Sequence, residues 1–418
     1  MTSFTELKHA TFASLAIPNY RRYVAGQAVS LIGTWMQTVA QSWLIYTLTH
    51  SATAVGFAVA LQTVPVLLLG PYAGVVADRV DKRRLMMALQ AAMGGLALVL
   101  GLLTITGVVQ AWHVYVLAVL LGLNNAFENP ARQSFVLELV GADSLRNAVS
   151  LNSVLVNVAR AVGPAVAGLI IAAGGIGVCF LLNAVSFAAV VTSLARLDTS
   201  ALRPSPPAAR AKGQLREGLA HVRGNPELAV PLLMMALIGC LAYEFSVTLP
   251  IVASQTFGQG AELYGYLTAS MGVGAVVGGL WVAGRGRTGA HGLVVAAAVF
   301  AVVLLGAALA PSAWVAVAAM ALVGAASIAF TSVGNSTIQL AAAPHMRGRV
   351  MALWAVAFMG TTPLGGPIAG WVAETWGGRA GLVLGAVTCG VAALLGLVLL
   401  RRGRRRAPAV PAAEPAVA

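Results

Sequence analysis

Charge is the scarcest ingredient of this 418-residue chain: 9% of its residues are Asp, Glu, Lys or Arg, against about 25% in an ordinary soluble protein. So little charge cannot solvate a globular surface, which excludes most soluble enzymes and nucleic-acid binders. Lysine occurs only at Lys8, Lys82 and Lys212. None stands in a Gly-x-x-x-x-Gly-Lys-Ser/Thr loop, so ATP hydrolysis is not the expected source of energy. The three cysteines, Cys179, Cys240 and Cys389, lie on separate apolar runs and read as small packing residues, not as a disulfide framework or metal ligands. The six histidines scatter near predicted helix ends. No metal or cofactor is expected, and without a His, Cys or Asp cluster no enzyme is expected. The N-terminal stretch lacks a short apolar core with a small-residue cleavage site, so the first apolar run is expected to be retained.

What is present is apolar: 59% hydrophobic residues and a mean hydropathy of +0.84. A spanning helix takes about 20 residues. Runs between polar breaks predict twelve spans, at 22–48, 52–77, 85–107, 112–134, 147–173, 176–196, 228–253, 262–284, 291–310, 313–340, 350–373 and 380–400. The fold class is therefore an all-α membrane protein. The formal charge is +13, yet the placement of the basic residues matters more than their total: of the 26 Lys and Arg, all but Arg160 and Arg379 fall in the termini or the even-numbered loops or at their boundaries. By the positive-inside bias, those loops and both ends are expected to be cytoplasmic.

Residues 197–227 contain Arg203, Pro204, Pro206, Pro207, Arg210, Lys212 and Arg216, a composition that suits a linker, with a short surface helix over 213–223. This divides the chain into a six-span bundle at 1–196, the linker, a second bundle at 228–400 and a basic tail at 401–418 expected to be disordered. The halves echo each other. Gly163-Pro164-Ala165-Val166-Ala167-Gly168 in span 5 recurs in span 11 as Gly366-Pro367-Ile368-Ala369-Gly370, each preceded by an arginine-led segment at Arg146 and Arg347. Duplicated six-helix halves are a transporter architecture, with the substrate site near the midplane between the repeats.

Residues 70–84 read GPYAGVVADRVDKRR. This resembles the loop signature of the major facilitator superfamily, with Gly74, Asp78, Arg79, Lys82, Arg83 and Arg84 in the matching places. Small glycines let helices approach, and a carboxylate at a helix exit can meet a neighbouring helix N-terminus or arginine. The resemblance implies a gate latch, with Arg132 and the segment around Arg347 as receivers. Asp81 departs from the general signature, which has glycine there. The equivalent in the second half, Gly279 through Arg287, has lost its acid. The segments 26–49, 125–153, 157–170 and 347–354 are similar to the enterobactin-exporter-like drug and siderophore exporter branch of that superfamily. The Gly163, Pro164 and Gly168 cluster also resembles the antiporter signature, which implies a helix bend.

Polar stripes need no family. In span 1, Gln27, Ser30, Thr34, Gln37 and Gln41 recur at steps of three and four and share one face. Span 5 offers Ser150, Ser153, Asn157 and Arg160, and span 10 Ser327, Thr331, Asn335 and Gln339. Such faces either hydrogen-bond between helices or line a hydrated cavity. The resemblance favours the cavity and places Gln37, Asn157 and Asn335 around it. Ionisable residues inside spans are costly and are functional candidates: Glu128, Arg160 and Glu244. Glu244 is the first choice for carrying a proton and Glu128 the second, although an ion pair with an arginine remains the alternative for each.

The resemblance and the residues together lead to a proton-coupled exporter of amphipathic small molecules, a monomer in the bacterial inner membrane whose partners are its substrate, protons and the lipid bilayer, with no nucleic acid. The alternatives are a lipid or lysolipid translocator on the same fold and a non-transporting receptor.

Overall fold

Pro18 occupies the first turn of helix α1 (Pro18–Thr49), which closes when His50 turns left-handed at φ 51°. Ser51 then accepts from the Ala54 amide to begin α2 (Ala52–Arg79), and Asp81 accepts from the Arg84 amide to begin α3 (Lys82–Ile105). Each cap satisfies an amide that a helix start would leave open. The computed structural model in which these features lie describes residues 13–203, 214–223, 225–285, 289–343 and 346–406, without the side chains at 71, 75, 78, 214–218, 285 and 403–406.

A 64-residue helical element, Ala111–Gly174, follows and divides at Gly141, whose φ of 73° and ψ of 173° are non-helical. We call its limbs α4 (111–140) and α5 (142–174). Then come α6 (Ile176–Ala195), a surface helix α7 (Gln214–Arg223), α8 (Pro226–Leu241) and α9 (Phe245–Ile251), which continues through a π-helical turn at Val252–Thr256. The chain goes on with α10 (Ala261–Arg285), α11 (Ala290–Ala308), α12 (Ala313–Ala341), α13 (Arg347–Met359), α14 (Thr362–Trp376) and α15 (Gly378–Arg406). The described residues contain no strand.

Ten of these segments are long and apolar enough to cross a membrane when Ala111–Gly174 counts as one and the broken spans as single units. Its two limbs are separate spans. α1 falls outside that set because its polar stripe dilutes its apolar residues; with both adjustments the twelve spans of the sequence appear. The chain folds as a multi-pass bundle of the major facilitator type. Large apolar side chains such as Leu68, Val185, Leu280, Val302 and Leu322 point outward, as a lipid-facing surface requires.

Two spans differ from the sequence expectation. Span 7 breaks at Ala242–Glu244, between α8 and α9, and span 11 breaks at Gly360–Thr361, between α13 and α14. Conversely, α5 runs helically through Pro164, since Gly141 is the one non-helical residue in Ala111–Gly174. The duplication reappears in the turns: Gly175 joins α5 to α6 at φ 85°, ψ 168°, and Gly377 joins α14 to α15 at φ 90°, ψ 163°.

The loops that carry most of the basic residues share one end of the bundle, here the basic end; the turns at His50, Gln110, Gly175, Gly258, Leu309 and Gly377 form the far end. The linker is fastened to the first half at its start: Asn19 Nδ2 donates to the Asp198 carbonyl at 2.8 Å, the Asp198 amide donates to Asn19 Oδ1 at 3.0 Å, and the Arg203 amide donates to the Glu138 carbonyl at 3.0 Å. α7 then packs on α13 and α8 of the second half.

Candidate functional site

The stripe on α1 divides in two. Near the basic end, Gln27 donates to the Tyr23 hydroxyl at 2.7 Å inside the first half, and Ser30 is buried beside it. Toward the far end, Thr34, Gln37 and Gln41 line a cavity of about 170 Å³ with Gln62, Asn125, Asn183 and, from the second half, Ser246. Asn183 Nδ2 donates to Gln37 Oε1 at 2.6 Å, and Gln41 Nε2 to Gln62 Oε1 at 3.4 Å.

A second cavity, of about 520 Å³, lies between α5 and the second half. Arg160 forms one wall, with Tyr243, Ser327, Thr331, Asn335, Trp354 and Phe358 opposite. Gln37 and Asn335 therefore line different cavities. Asn157 lines neither, its Nδ2 donating to the Ser153 carbonyl of its own helix at 2.8 Å. Gln339 donates to Asn335 Oδ1 at the exposed end of α12.

The three intramembrane ionisable groups have three different settings. Glu128 pairs with Arg132 at 3.1 Å and receives Gln90 Nε2 at 3.5 Å, while Arg132 also donates to Asn129 Oδ1 at 3.1 Å. Arg160 lies over the Trp35 ring, its guanidinium carbon 5.0 Å from the centroid, and its buried Nε has no hydrogen-bond acceptor. Glu244 is 4% exposed and sits at the break of span 7. Its carboxyl meets the Thr362 side chain, next to the break of span 11. Among the described residues no ion pair joins Glu244 to Arg160.

Glycine makes this crossing possible. A Cβ on Gly365 would fall 1.6 Å from the Cys240 carbonyl oxygen and 3.0 Å from Glu244 Oε1; one on Gly366 would fall 2.9 Å from the Gly56 carbonyl oxygen and 3.5 Å from Glu244 Oε2. Glu244 thus lies where α8, α14 and α2 of the other half converge. In span 11 Gly360 lies at the break and Pro363 just after it, whereas span 7 has no glycine or proline at Ala242–Glu244.

The halves touch at the far end. Tyr46 donates to Ser254 Oγ at 3.3 Å, Ser51 Oγ to Glu374 Oε2 at 2.7 Å and the Thr53 amide to the same oxygen at 3.0 Å. Glu374, which sequence reasoning did not single out, therefore caps the N-terminus of α2 from the other half, a favourable place for a carboxylate. Trp43 stacks on Tyr264 at 6.3 Å, and Gly168 of the proline motif lies against the backbone of Ala261 and Glu262. The same motif places Gly163 against Trp35 and the Ile32 carbonyl of α1, so its glycines act in helix packing.

The loop motif is tied within the first half. Lys82 pairs with Glu138 at 2.6 Å, and Arg83 donates to the Leu194 and Ala195 carbonyls, both at 2.8 Å, closing the end of α6. Gly74 is buried, and Arg79 and Arg347 are exposed. The side chain of Asp78 lies outside the described residues.

Two six-span bundles packed around polar cavities define a protein of the major facilitator fold. The profile of the transmembrane secretion effector family matches residues 9–415, and the chain belongs to that family within the major facilitator superfamily. The chain is similar to the staphyloferrin A transporter of Staphylococcus aureus, with 27% identity over 250 residues, 59% of this chain and 62% of that protein. That match spans less than two thirds of the relative's length. An enterobactin exporter of Shigella boydii serotype 18 is 25% identical over 405 residues, 95% of this chain and 96% of that one. Macrolide efflux protein A of Streptococcus pyogenes is 24% identical over 279 residues, 66% of this chain and 69% of its own. Among solved structures, a bacterial homologue of the human lysosomal transporter Spinster, inward-facing and unoccupied, superposes with a TM-score of 0.71 at 16% identity, covering 94% of this chain and 98% of that one. These relatives and this fold are those of transporters, not of enzymes.

Proposed function

We propose that the chain is a secondary transporter that exports amphipathic small molecules in exchange for protons, by alternating access of the bundles at 1–196 and 228–400 about the seam. It acts as a monomer in a bacterial inner membrane, with the basic end, both termini and the 197–227 linker in the cytoplasm. The observation that supports this reading is the asymmetry of the seam. The far end is bridged by Tyr46, Ser51 and the Thr53 amide, whereas the cavity beside Arg160 and Asn335 lies on the basic side of these bridges. With the basic end in the cytoplasm this is the inward-facing state. Its test is an efflux and susceptibility profile of a hypersensitive strain expressing the protein, with and without a protonophore: drug resistance that the protonophore abolishes is expected, and resistance indifferent to it would remove proton coupling.

Orientation has its own check. A reporter fused after His50 should register the periplasm and one after Arg223 the cytoplasm. The reverse pattern would invert the assignment of inward and outward.

Alternation assigns α2 two latches. In the present state Glu374 holds its far end; in the opposite state Asp78, at its basic end, would meet the start of α13 near Arg347. Glu374→Ala is therefore expected to favour opening of the far end and Asp78→Asn to disfavour it, since each removes a contact specific to one state. Each contact is worth about 1–3 kcal/mol as a charge-assisted hydrogen bond. Cysteine accessibility at both ends reads the shift. Identical patterns in both variants and the wild type would exclude the latches.

A second reading is a lipid or lysolipid translocator. The feature that favours it is an apolar groove of about 470 Å³ on the outer face between α10, α11 and α12, lined by Trp281, His291, Val295, Val299, Ala326 and Val333. Flipping of a labelled lysolipid by reconstituted protein, without drug efflux, would select it.

A further inference from the structure

We infer that the larger cavity is an anion site: it takes amphipathic molecules through an oxyanion seated on Arg160, with their ring systems against Trp354 and Phe358, and it rejects cations of the same shape. The inference rests on the reading of this cavity as the transport site.

Arg160 lies in the middle of a spanning helix, where an ionised side chain is costly and persists only where it is used or matched. Among the described residues no acid is paired with it. Glu128 is taken by Arg132 at 3.1 Å, Glu244 turns to Thr362, and no carboxylate is among the residues lining the cavity. The guanidinium is seated on the Trp35 ring, which supplies no hydrogen-bond acceptor in its plane, and among the described residues the buried Nε is left without one.

The facing wall is rich in donors. Ser332 and Ser336 bring hydroxyls to the α12 face beside Asn335, whereas the Thr331 hydroxyl already donates to the Ser327 and Ile328 carbonyls of its own helix. Asn335 Oδ1 already accepts from Gln339, which leaves its Nδ2 hydrogens to give. The Tyr243 hydroxyl donates to the Ser327 carbonyl at 2.9 Å, so that carbonyl is occupied and offers less to a cationic guest. A guanidinium presents several donors in a plane and matches a carboxylate or similar oxyanion in two-point fashion. The aromatic walls provide apolar area for the remainder of the molecule.

The test uses one ring in three charge states: 2-naphthoate, 2-naphthylmethanol and 2-naphthylmethylammonium, with binding to the purified full chain followed by equilibrium dialysis. The wild type should bind the anion most tightly, then the alcohol, then the cation, with anion over cation by at least about tenfold, the ratio one charge-assisted contact supplies. Arg160→Gln should bring the three to near equality, and Arg160→Lys should keep their order. Asn335→Asp, which places an acid in the cavity with Arg160, should abolish anion preference even if Arg160→Gln does not fold. The proposal is overturned if the wild type binds no naphthoate, if it binds the ammonium as tightly, or if anion preference survives in Arg160→Gln or in Asn335→Asp. The transport reading is scored separately by proton-driven movement in vesicles. Arg160-dependent anion binding without movement strikes transport and leaves the site, whereas uphill movement of cations alone strikes the site and leaves transport.

Discussion

Glu244→Gln should leave the protein folded and reduce proton-driven uphill efflux in reconstituted vesicles to background, while Glu244→Asp keeps part of it. The carboxyl is 4% exposed and lies at the one place where a broken span of the second half, its broken neighbour and α2 of the first half converge. A group so placed can exchange a proton only when that convergence loosens, which ties protonation to the position of the halves. Glutamine keeps the size and the contact with Thr362 but holds no exchangeable charge, so the melting temperature should hardly move. The rival account, an ion pair with Arg160, predicts instead that Glu244→Gln costs stability and that Arg160→Gln partly restores it. Gradient-driven efflux that survives Glu244→Gln unchanged would take Glu244 out of the mechanism and leave Glu128 as the next carboxyl to test.

The second large effect is expected at Gly56. A Cβ there would lie 2.2 Å from the Gly366 carbonyl oxygen and 2.5 Å from its carbon, and both are backbone atoms that cannot swing aside. Gly56→Ala is thus a wedge between the halves, felt only when the far end is closed. Overpacking of this kind costs about 1–3 kcal/mol, which moves a two-state equilibrium about 5- to 150-fold. The expected outcome is a folded protein whose far end is open in most molecules and whose transport is largely lost. Gly365→Ala is the informative contrast. Its Cβ would fall 1.6 Å from the Cys240 oxygen in the same half, so it should cost stability whatever the state of the seam. Spin labels at Gln110 and Leu309 separate the two results: the distance lengthens in Gly56→Ala if the wedge acts, and an unchanged distance with normal transport would show that the seam carries no such constraint.

Much of this was legible in the sequence because hydrophobic length is a strong signal: the spans and the short helix at Gln214–Arg223 stand close to where composition places them. The glycine echo was legible too, and Gly168 and Gly370 both serve close approaches between the halves at the far end. The stripes were less so. A period of three and four fixes which residues share a helix face, but not what that face meets, so Gln27 packs on Tyr23 while Gln37, on the same face, lines a cavity. Glu374 was invisible because an acid in the last turn of a span reads as an ordinary solvated end until the start of α2 is found against it. The break at Glu244 lacked the glycine or proline that would announce it.

The most direct measurement of the central claim, that two bundles rock about one seam, is a pair of distances in the wild type: Gln110 to Leu309 across the far end and Asp143 to Arg401 across the basic end. The account predicts two populations, one with the short far-end distance of the present structure and a long basic-end distance, and one with the lengths exchanged. Distances that stay single at both ends, or that lengthen together, would contradict it.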